Sequence, residues 1–425
     1  MKKNILTAVS TLLMTISAFA YSGGNGSEMS PYLISSTTDV LELASNVNNG
    51  EKYAGVYFLL TTDLTSKNDT ITVTIGNYSS DYSSYYFSGI FDGNNHKVAV
   101  NKYALFGNIK QATIKNLTVS GRVTHYSLYR HSSSGSETYY YFGGICAYAE
   151  YSNIQNCQNT SSVNVFKDYT SFYSGECEYV GGICGYANKS CNIINCYNTG
   201  NLSSPSYSSS SVYFSYIGGI CGEGDVIQNC YNTGNLSGMN YVGGIAGGRF
   251  GTVKNCFVGN CDIKNRSAAR IGRINNGGNG STCENNYAYA MLTVNGKTVS
   301  NTSTTDKNGK DCTEENLQDQ TWLTTNLQWD FDQIWDIPID GGYPVLRSSG
   351  SSTSIDDVQS ASTITIYPNP TSGIVNLPEA MAVKVFSLQG ALLQQTVGTQ
   401  VDLSAYPQGV YLLQVGGQMM KVVKE

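Results

Sequence analysis

Apolar and polar positions alternate in short runs along most of this chain, and Gly or Asn interrupts each run. FGGICAYAEYSNIQNCQNT begins at Phe142, VGGICGYANKSCNIINCYNTGNLS at Val180, IGGICGEGDVIQNCYNTGNLSG at Ile217 and VGGIAGGRFGTVKNCFVGN at Val242. A weaker earlier copy, LFGNIKQATIKNLTVSG, starts at Leu105, and a degraded later one, IGRINNGGNGSTCENNYA, at Ile271. None has helical periodicity, and each predicts two or three short strands. The six copies share an apolar residue, Gly-Gly or its relic, an apolar pair, a variable stretch, and Ile/Val-x-Asn-Cys/Leu.

The Asn positions are 116, 156, 195, 229 and 255, so the shortest step, 26 residues, sets the basic unit. Extra length lies in Ser/Tyr/Thr-rich inserts, from Arg122 to Tyr141, Asn164 to Tyr179 and Ser203 to Tyr216. A unit this small cannot bury its own apolar face; stacking on identical neighbours can. The pattern therefore predicts an all-β chain built on a parallel β-helix, or β-solenoid. Ile114, Ile154, Ile193, Ile227 and Val253 are expected to stack as one internal ladder. Asn116, Asn156, Asn195, Asn229 and Asn255 are expected at a corner, with amides bonded from rung to rung. The pairs Gly143-Gly144, Gly181-Gly182, Gly218-Gly219 and Gly243-Gly244 would permit either a positive φ or a close backbone approach.

Composition narrows the class. The chain has 425 residues, 13% of them charged, and a net charge of −6. Length suggests two or three domains. The charge leaves no basic footprint for nucleic acid. Residues 1–20 read as a signal peptide: Lys2 and Lys3, an apolar Ile5 to Ile16, and a small-x-small Ala18-Phe19-Ala20. The mature chain is expected to start at Tyr21, with no transmembrane span. Export permits disulfides without requiring them.

The repeat residues resemble the GLUG repeat of secreted bacterial proteins, which include some adhesins and non-catalytic parts of IgA-specific peptidases. The resemblance extends to PYLISSTTDVLELASNVNNG from Pro31, with a short helix around Thr38 to Val47 that would cap the N-terminal end. It takes in the lead-in strands from Tyr57 and Phe87 and a closing segment ending at Arg347. Residues 21–347 thus form the expected solenoid. A polar linker follows, residues 348–360. From 361 to 425 the alternation suggests a small antiparallel β-sandwich. Tyr367-Pro368-Asn369-Pro370, Gly373, Gly409-Val410-Tyr411 and the final Lys-Val-Val-Lys resemble the sorting domain of Bacteroidetes type IX secretion. The resemblance implies that the secretion machinery is a partner. It also implies that the chain is secreted or held at the outer-membrane surface.

Candidate chemistry is sparse. Cys146/Cys157, Cys184/Cys196 and Cys221/Cys230 recur at equivalent places. They read either as disulfides across the core or as stacked small apolar side chains. Ala246 and Leu117 stand at equivalent positions, which favours selection for size; Cys191/Cys196 and Cys256/Cys261 are the better disulfide candidates. Zinc spacing is missing. With three histidines, no His-Glu-x-x-His and no Gly-x-Ser-x-Gly, no catalytic set can be assembled. Asp168, Glu176, Glu178, Glu223 and Asp225 occupy non-equivalent positions. The Gly pairs precede no helix, which removes a nucleotide loop. Asp306 to Asp311 departs from calcium-loop spacing and reads as a turn. Asp92 to His96 reads as a tight turn in a lead-in hairpin. No cofactor and no metal are expected.

The inserts mix Tyr with Ser and Gly, as antibody contact loops do. Loops leaving equivalent points of successive rungs emerge on one side. Tyr126, Tyr129, Tyr139, Tyr140, Tyr141, Tyr169, Tyr173, Tyr207 and Tyr213 are therefore the candidate binding residues, for an extracellular glycan or protein. The expectation is a non-enzymatic, adhesin-like surface protein. The alternatives are a polysaccharide-degrading β-helix enzyme, which needs a charged cluster in a groove, and a purely structural filament.

Overall fold

The structure is a computed structural model. It describes residues 21–78, 84–131, 138–165, 176–204, 213–267, 270–278, 281–300, 302–347, 366–387, 392–415 and 418–425. The expected signal peptide and linker lie outside the described residues. The chain divides into two compact units, Met1–Ser351 and Ser352–Glu425.

The first unit is a parallel β-solenoid. Each full rung visits three faces. In the fourth copy, Tyr213–Gly218 lies on the first face and Cys221–Gln228 on the second. Tyr231–Asn232 and Leu236–Gly238 share the third. Successive rungs pair in parallel and in register: Val180, Ile217, Val242 and Ile271 on the first face, and Ile154, Ile193, Ile227 and Val253 on the second. Leu202, Leu236 and Ile263 align on the third. Because the side-chain period of a strand is two, register places like on like, and these columns form one buried core.

Two kinds of amide ladder hold the rungs. Asn116, Asn156, Asn195, Asn229 and Asn255 all have φ of 53–54°, the left-handed conformation that Asn tolerates better than most residues. Asn156 donates to Asn116, Asn195 to Asn156, and Asn229 to Asn195, at 3.1–3.2 Å. The ladder runs on through Asn255 to Asn285, and starts at Asp92, which accepts from Asn116. Asp92 to His96 is thus a rung corner between faces rather than a hairpin, since the strands Ile90–Asp92 and Lys97–Lys102 belong to different sheets.

The second ladder is internal and was not expected. Asn159, Asn198 and Asn232 are fully buried. Asn159 donates along the column to Asn198 and Asn198 to Asn232, both at 2.7 Å. This ladder explains the Gly pairs. Neither glycine of a pair has positive φ; the corner's left-handed residue is Asn. A Cβ on Gly144 would lie 2.4 Å from Asn159 Cγ, and one on Gly182 or Gly219 2.4 Å from Asn198 or Asn232 Cγ. The partners Gly143, Gly181 and Gly218 would bring a Cβ within 1.8–1.9 Å of the carbonyl three residues on. The pairs therefore serve close approach. Gly243 and Gly244 continue the column, but Gly244 faces Val258 in place of an amide.

The first copy is displaced from the alignment suggested by its text. Phe106 pairs with Cys146, so Ala104, not Gly107, stands where Gly144 does. At the N-terminus, helix α1 (Thr37–Asn48) follows a capping box between Ser36 and Asp39 and buries Val40, Leu43, Ala44 and Val47 in the solenoid core. Near the C-terminal end, α2 (Gln320–Leu327) leads into a segment that covers an aromatic column of the third face. Tyr197, Tyr231 and Phe257 stack at 4.7 Å, and Trp329 and Trp335 pack over them. Tyr231 donates its hydroxyl to the Pro344 carbonyl at 2.6 Å.

Arg273 replaces the second glycine in the last copy and is fully buried. It donates to the carbonyls of Asn308 and Gly309, both at 2.9 Å, and to Asp311 at 2.6 Å. The turn from Asp306 to Asp311 thus spends its inward oxygens on a guanidinium of the chain itself.

All twelve cysteines are buried free thiols. Cys146, Cys184 and Cys221 form one column across rungs. Cys191/Cys196 and Cys256/Cys261, expected as the better disulfide pairs, are not bonded. Cys196 and Cys256 instead point their thiols at strand carbonyls of their own and neighbouring rungs. Burial raises the pKa of Cys157, Cys196 and Cys230.

The second unit is a small antiparallel fold on one four-stranded path: Leu392–Asp402, Ile374–Ser387, Gly409–Val415 and Gln418–Lys424. Val383, Val385, Val401, Leu413, Val415 and Val422 form its core. Asn369 of the Tyr-Pro-Asn-Pro motif bonds the backbone of Lys421 and Val423, pinning the motif to the last strand.

Candidate ligand-binding groove

Outward residues of the first face alternate with the inward ones that build the core. One outward position, immediately before the apolar-Gly-Gly motif, is Tyr in four successive rungs. Tyr141 stacks on Tyr179 (5.5 Å, 15°), Tyr179 on Tyr216 (5.1 Å, 10°) and Tyr216 on Tyr241 (4.7 Å, 8°). The spacing is that of the strands themselves. A second column stands on the outer side of the second face, where Tyr148 stacks on Tyr186 at 5.5 Å and 6°. The columns meet edge to face across the Gly-Gly corner: Tyr141 to Tyr148 at 5.0 Å and 67°, Tyr179 to Tyr186 at 4.9 Å and 74°. Edge-to-face contact suits the ring quadrupoles. The result is an angled groove running along the solenoid axis.

The groove changes character along its length. Tyr141, Tyr148 and Tyr179 are buried; Tyr186, Tyr216 and Tyr241 are half-buried. The next residue in the second column is Glu223, paired with Tyr186. Burial pushes the Glu223 carboxyl up to about 7, against the opposing pull of Arg249, whose N–H and charge favour the ionised form. Two adjoining clefts lie here and share Arg249. One, of about 290 Å³, is lined by Tyr186, Asn188, Glu223, Asp225 and Arg249. The other, of about 300 Å³, is lined by Tyr216, Tyr241, Arg249, Arg270, Asn276 and Gly278. Both are at the lower end of the size range of small-ligand sites. The groove can thus offer phenol edges, one carboxyl near neutrality and two guanidinium groups.

The expected binding residues divide. Tyr169, Tyr173 and Tyr207 lie outside the described residues. Tyr129 and Tyr213 lie in the strands Leu128–His131 and Tyr213–Gly218. Tyr126 is exposed, 5.1 Å from Tyr140. Tyr139 and Tyr141 point outward, Tyr141 into the groove. Tyr140 does not; alternation turns it to the core side, where it packs against the solenoid core. Tyr179, Tyr216, Tyr241, Tyr148 and Tyr186 were missed. The signal for three of them was in the text as Tyr-Val-Gly-Gly or Tyr-Ile-Gly-Gly at a constant offset from the repeat. Glu223 and Asp225 looked scattered because their rung neighbours are not acidic; the fold places them beside Arg249.

Comparison with known proteins places the chain's parts. Residues 365–425 match the secretion system C-terminal sorting domain. Residues 176–203 match the GLUG motif. The chain thus carries a GLUG motif and a C-terminal sorting domain of type IX secretion. It is exported by that route to the cell surface or the extracellular space. Among the described residues, no helix is long and apolar enough to cross a membrane. No curated protein matches the chain. Among solved structures, an IgA1 protease is similar over 90% of this chain and 33% of its own, at 11% identity and a TM-score of 0.44. The chain spans about a third of that protein, and the likeness bears on neither activity nor substrate.

Proposed function

We propose that this exported protein is an adhesin-like surface module that binds a glycan along the tyrosine groove. The observation that carries the reading is the in-register column Tyr141–Tyr179–Tyr216–Tyr241, joined at the corner by Tyr148 and Tyr186. Stacking directs ring faces at one another, so the groove meets solvent with ring edges and hydroxyls. The hydroxyls of Tyr179, Tyr216 and Tyr241 have no hydrogen-bond partner among the described residues. A sugar chain laid across the open end of the columns then meets the half-buried Tyr186, Tyr216 and Tyr241 as rigid, amphipathic contacts, ordered in advance by the buried rings behind them. Glycan-array binding by the full chain, repeated with Tyr216→Ser and Tyr241→Ser, tests this. Loss of glycan binding in the variants is expected; an array with no glycan signal refutes the reading.

A second reading rests on one observation. Glu223 is held near neutrality beside Asp225, the combination a glycan-cleaving acid and base would use. Release of reducing ends from a polysaccharide, abolished by Glu223→Gln, would establish it in place of a purely binding role.

A further inference from the structure

Arg249 and Arg270 stand at the open end of the tyrosine column, in a chain of net charge −6. Register explains the placement. Val242 pairs with Ile271, so Arg270 occupies in the last rung the outward position that Tyr241 occupies in the rung before. Arg249 follows Gly247 and Gly248, where the second face turns outward, and lies next to Glu223. Both side chains are exposed; the charge of Arg249 also acts on Glu223, which burial holds largely protonated up to about pH 7. By contrast Arg273, three residues from Arg270, is buried and bonded to Asp311 and three carbonyls. The fold therefore separates one structural arginine from two that flank a cleft of about 300 Å³ with Tyr216 and Tyr241.

A planar guanidinium matches carboxylate and sulfate oxygens two at a time, which an ammonium cannot do. Two of them beside phenol edges suit a sugar ring carrying an anionic substituent. Asn276 does not compete for that role, since its amide is engaged by the Gly247 carbonyl and the Gly278 N–H. We infer that the cleft between Tyr216, Tyr241, Arg249 and Arg270 is a subsite for an anionic glycan unit, carboxylated or sulfated. The inference rests on the glycan-binding reading and makes it specific.

The test is calorimetric titration of the full chain with three probes: an oligogalacturonate, a chondroitin sulfate oligosaccharide, and a neutral oligogalactose of matching length. The expected result is that one acidic probe binds about tenfold or more tighter than the neutral one, the size of a charge-assisted bond. Which acidic probe wins distinguishes carboxylate from sulfate. Arg249→Gln with Arg270→Gln removes that preference, so that the acidic probe binds no tighter than the neutral one, with the circular dichroism spectrum unchanged. Added salt weakens the acidic probe alone. Equal affinity for all three probes, or a preference that survives the double variant, overturns the anionic subsite and leaves the glycan groove standing. Failure of all three probes, on top of an array with no signal, overturns both.

Discussion

Replacing Asn198 by Ala tests whether the buried amide ladder holds the solenoid together. Its amide makes four bonds inside the core. It donates to Gly200 O at 2.8 Å and to Asn232 Oδ1 at 2.7 Å. It accepts from Gly200 N at 3.2 Å and from Asn159 Nδ2 at 2.7 Å. The ladder atoms that faced it each keep a partner after truncation: Asn159 Nδ2 retains Ser161 O, and Asn232 Oδ1 retains the Gly234 N–H. Gly200, itself buried, loses both partners. Two orphaned backbone groups at about 1–3 kcal/mol each give a loss of roughly 2–6 kcal/mol. That is a large fraction of the about 5–15 kcal/mol that keeps a domain folded. Asn198→Asp should cost more, because a carboxylate has no donor for Asn232 and is buried as a charge. Asn156→Gly provides the contrast, since it keeps the left-handed corner and loses only the outer ladder bonds, at about 0.5–1.5 kcal/mol each. Urea unfolding followed by circular dichroism measures the losses, with hydrogen exchange locating them, since stacked repeats can unfold piecewise. An Asn198→Ala protein within about 1 kcal/mol of the parent would refute the argument, as would a larger loss in Asn156→Gly.

Three other outcomes follow from the same structure. Arg273→Ala should cost roughly 1–3 kcal/mol, because it leaves the buried Gly309 carbonyl without its donor, whereas the exposed Asp311 carboxylate is taken up by water; urea midpoints check this, and a loss below about 1 kcal/mol would show that water replaces the guanidinium freely. Glu223 has its carboxyl raised from 4.5 to about 7 in the fold, so the unfolded chain ionises first and stability falls as pH rises through that interval. The stabilisation is fully present below the lower value, and Glu223→Gln should remove a change on the order of 3 kcal/mol between the two, measured as urea midpoints against pH. Tyr231→Phe should cost about 1–3 kcal/mol by orphaning the Pro344 carbonyl and loosening the closing segment, read as faster hydrogen exchange around Trp335.

The alternation of apolar residues and the recurrent Asn made the solenoid, its internal Ile column and its outer Asn corner legible in the sequence. The short first helix and the sorting tail were legible through resemblance to known families. The solenoid features are local in origin: each rung repeats one backbone path, so one copy read well describes the others. Where repetition fails, the text misleads. Leu105-Phe106-Gly107 resembles the motif, yet pairing places Phe106 opposite Cys146. Tyr140 looked like its neighbours, yet strand alternation turned it inward.

Everything that depends on side chains meeting across a rung or between neighbouring rungs was decided only by the tertiary structure. Gly182 and Asn198 are ordinary residues in the text; the reason for the glycine is an amide 2.4 Å from where its Cβ would be. Glu223, Arg249 and Arg270 lie in different rungs and have no common motif. The stacking register alone gathers them at the end of a tyrosine column. Short-range pattern specifies the path of a rung because backbone conformation is a local property. Contacts across the corner and along the axis depend on which side chains that path brings together, and no local pattern encodes that sum.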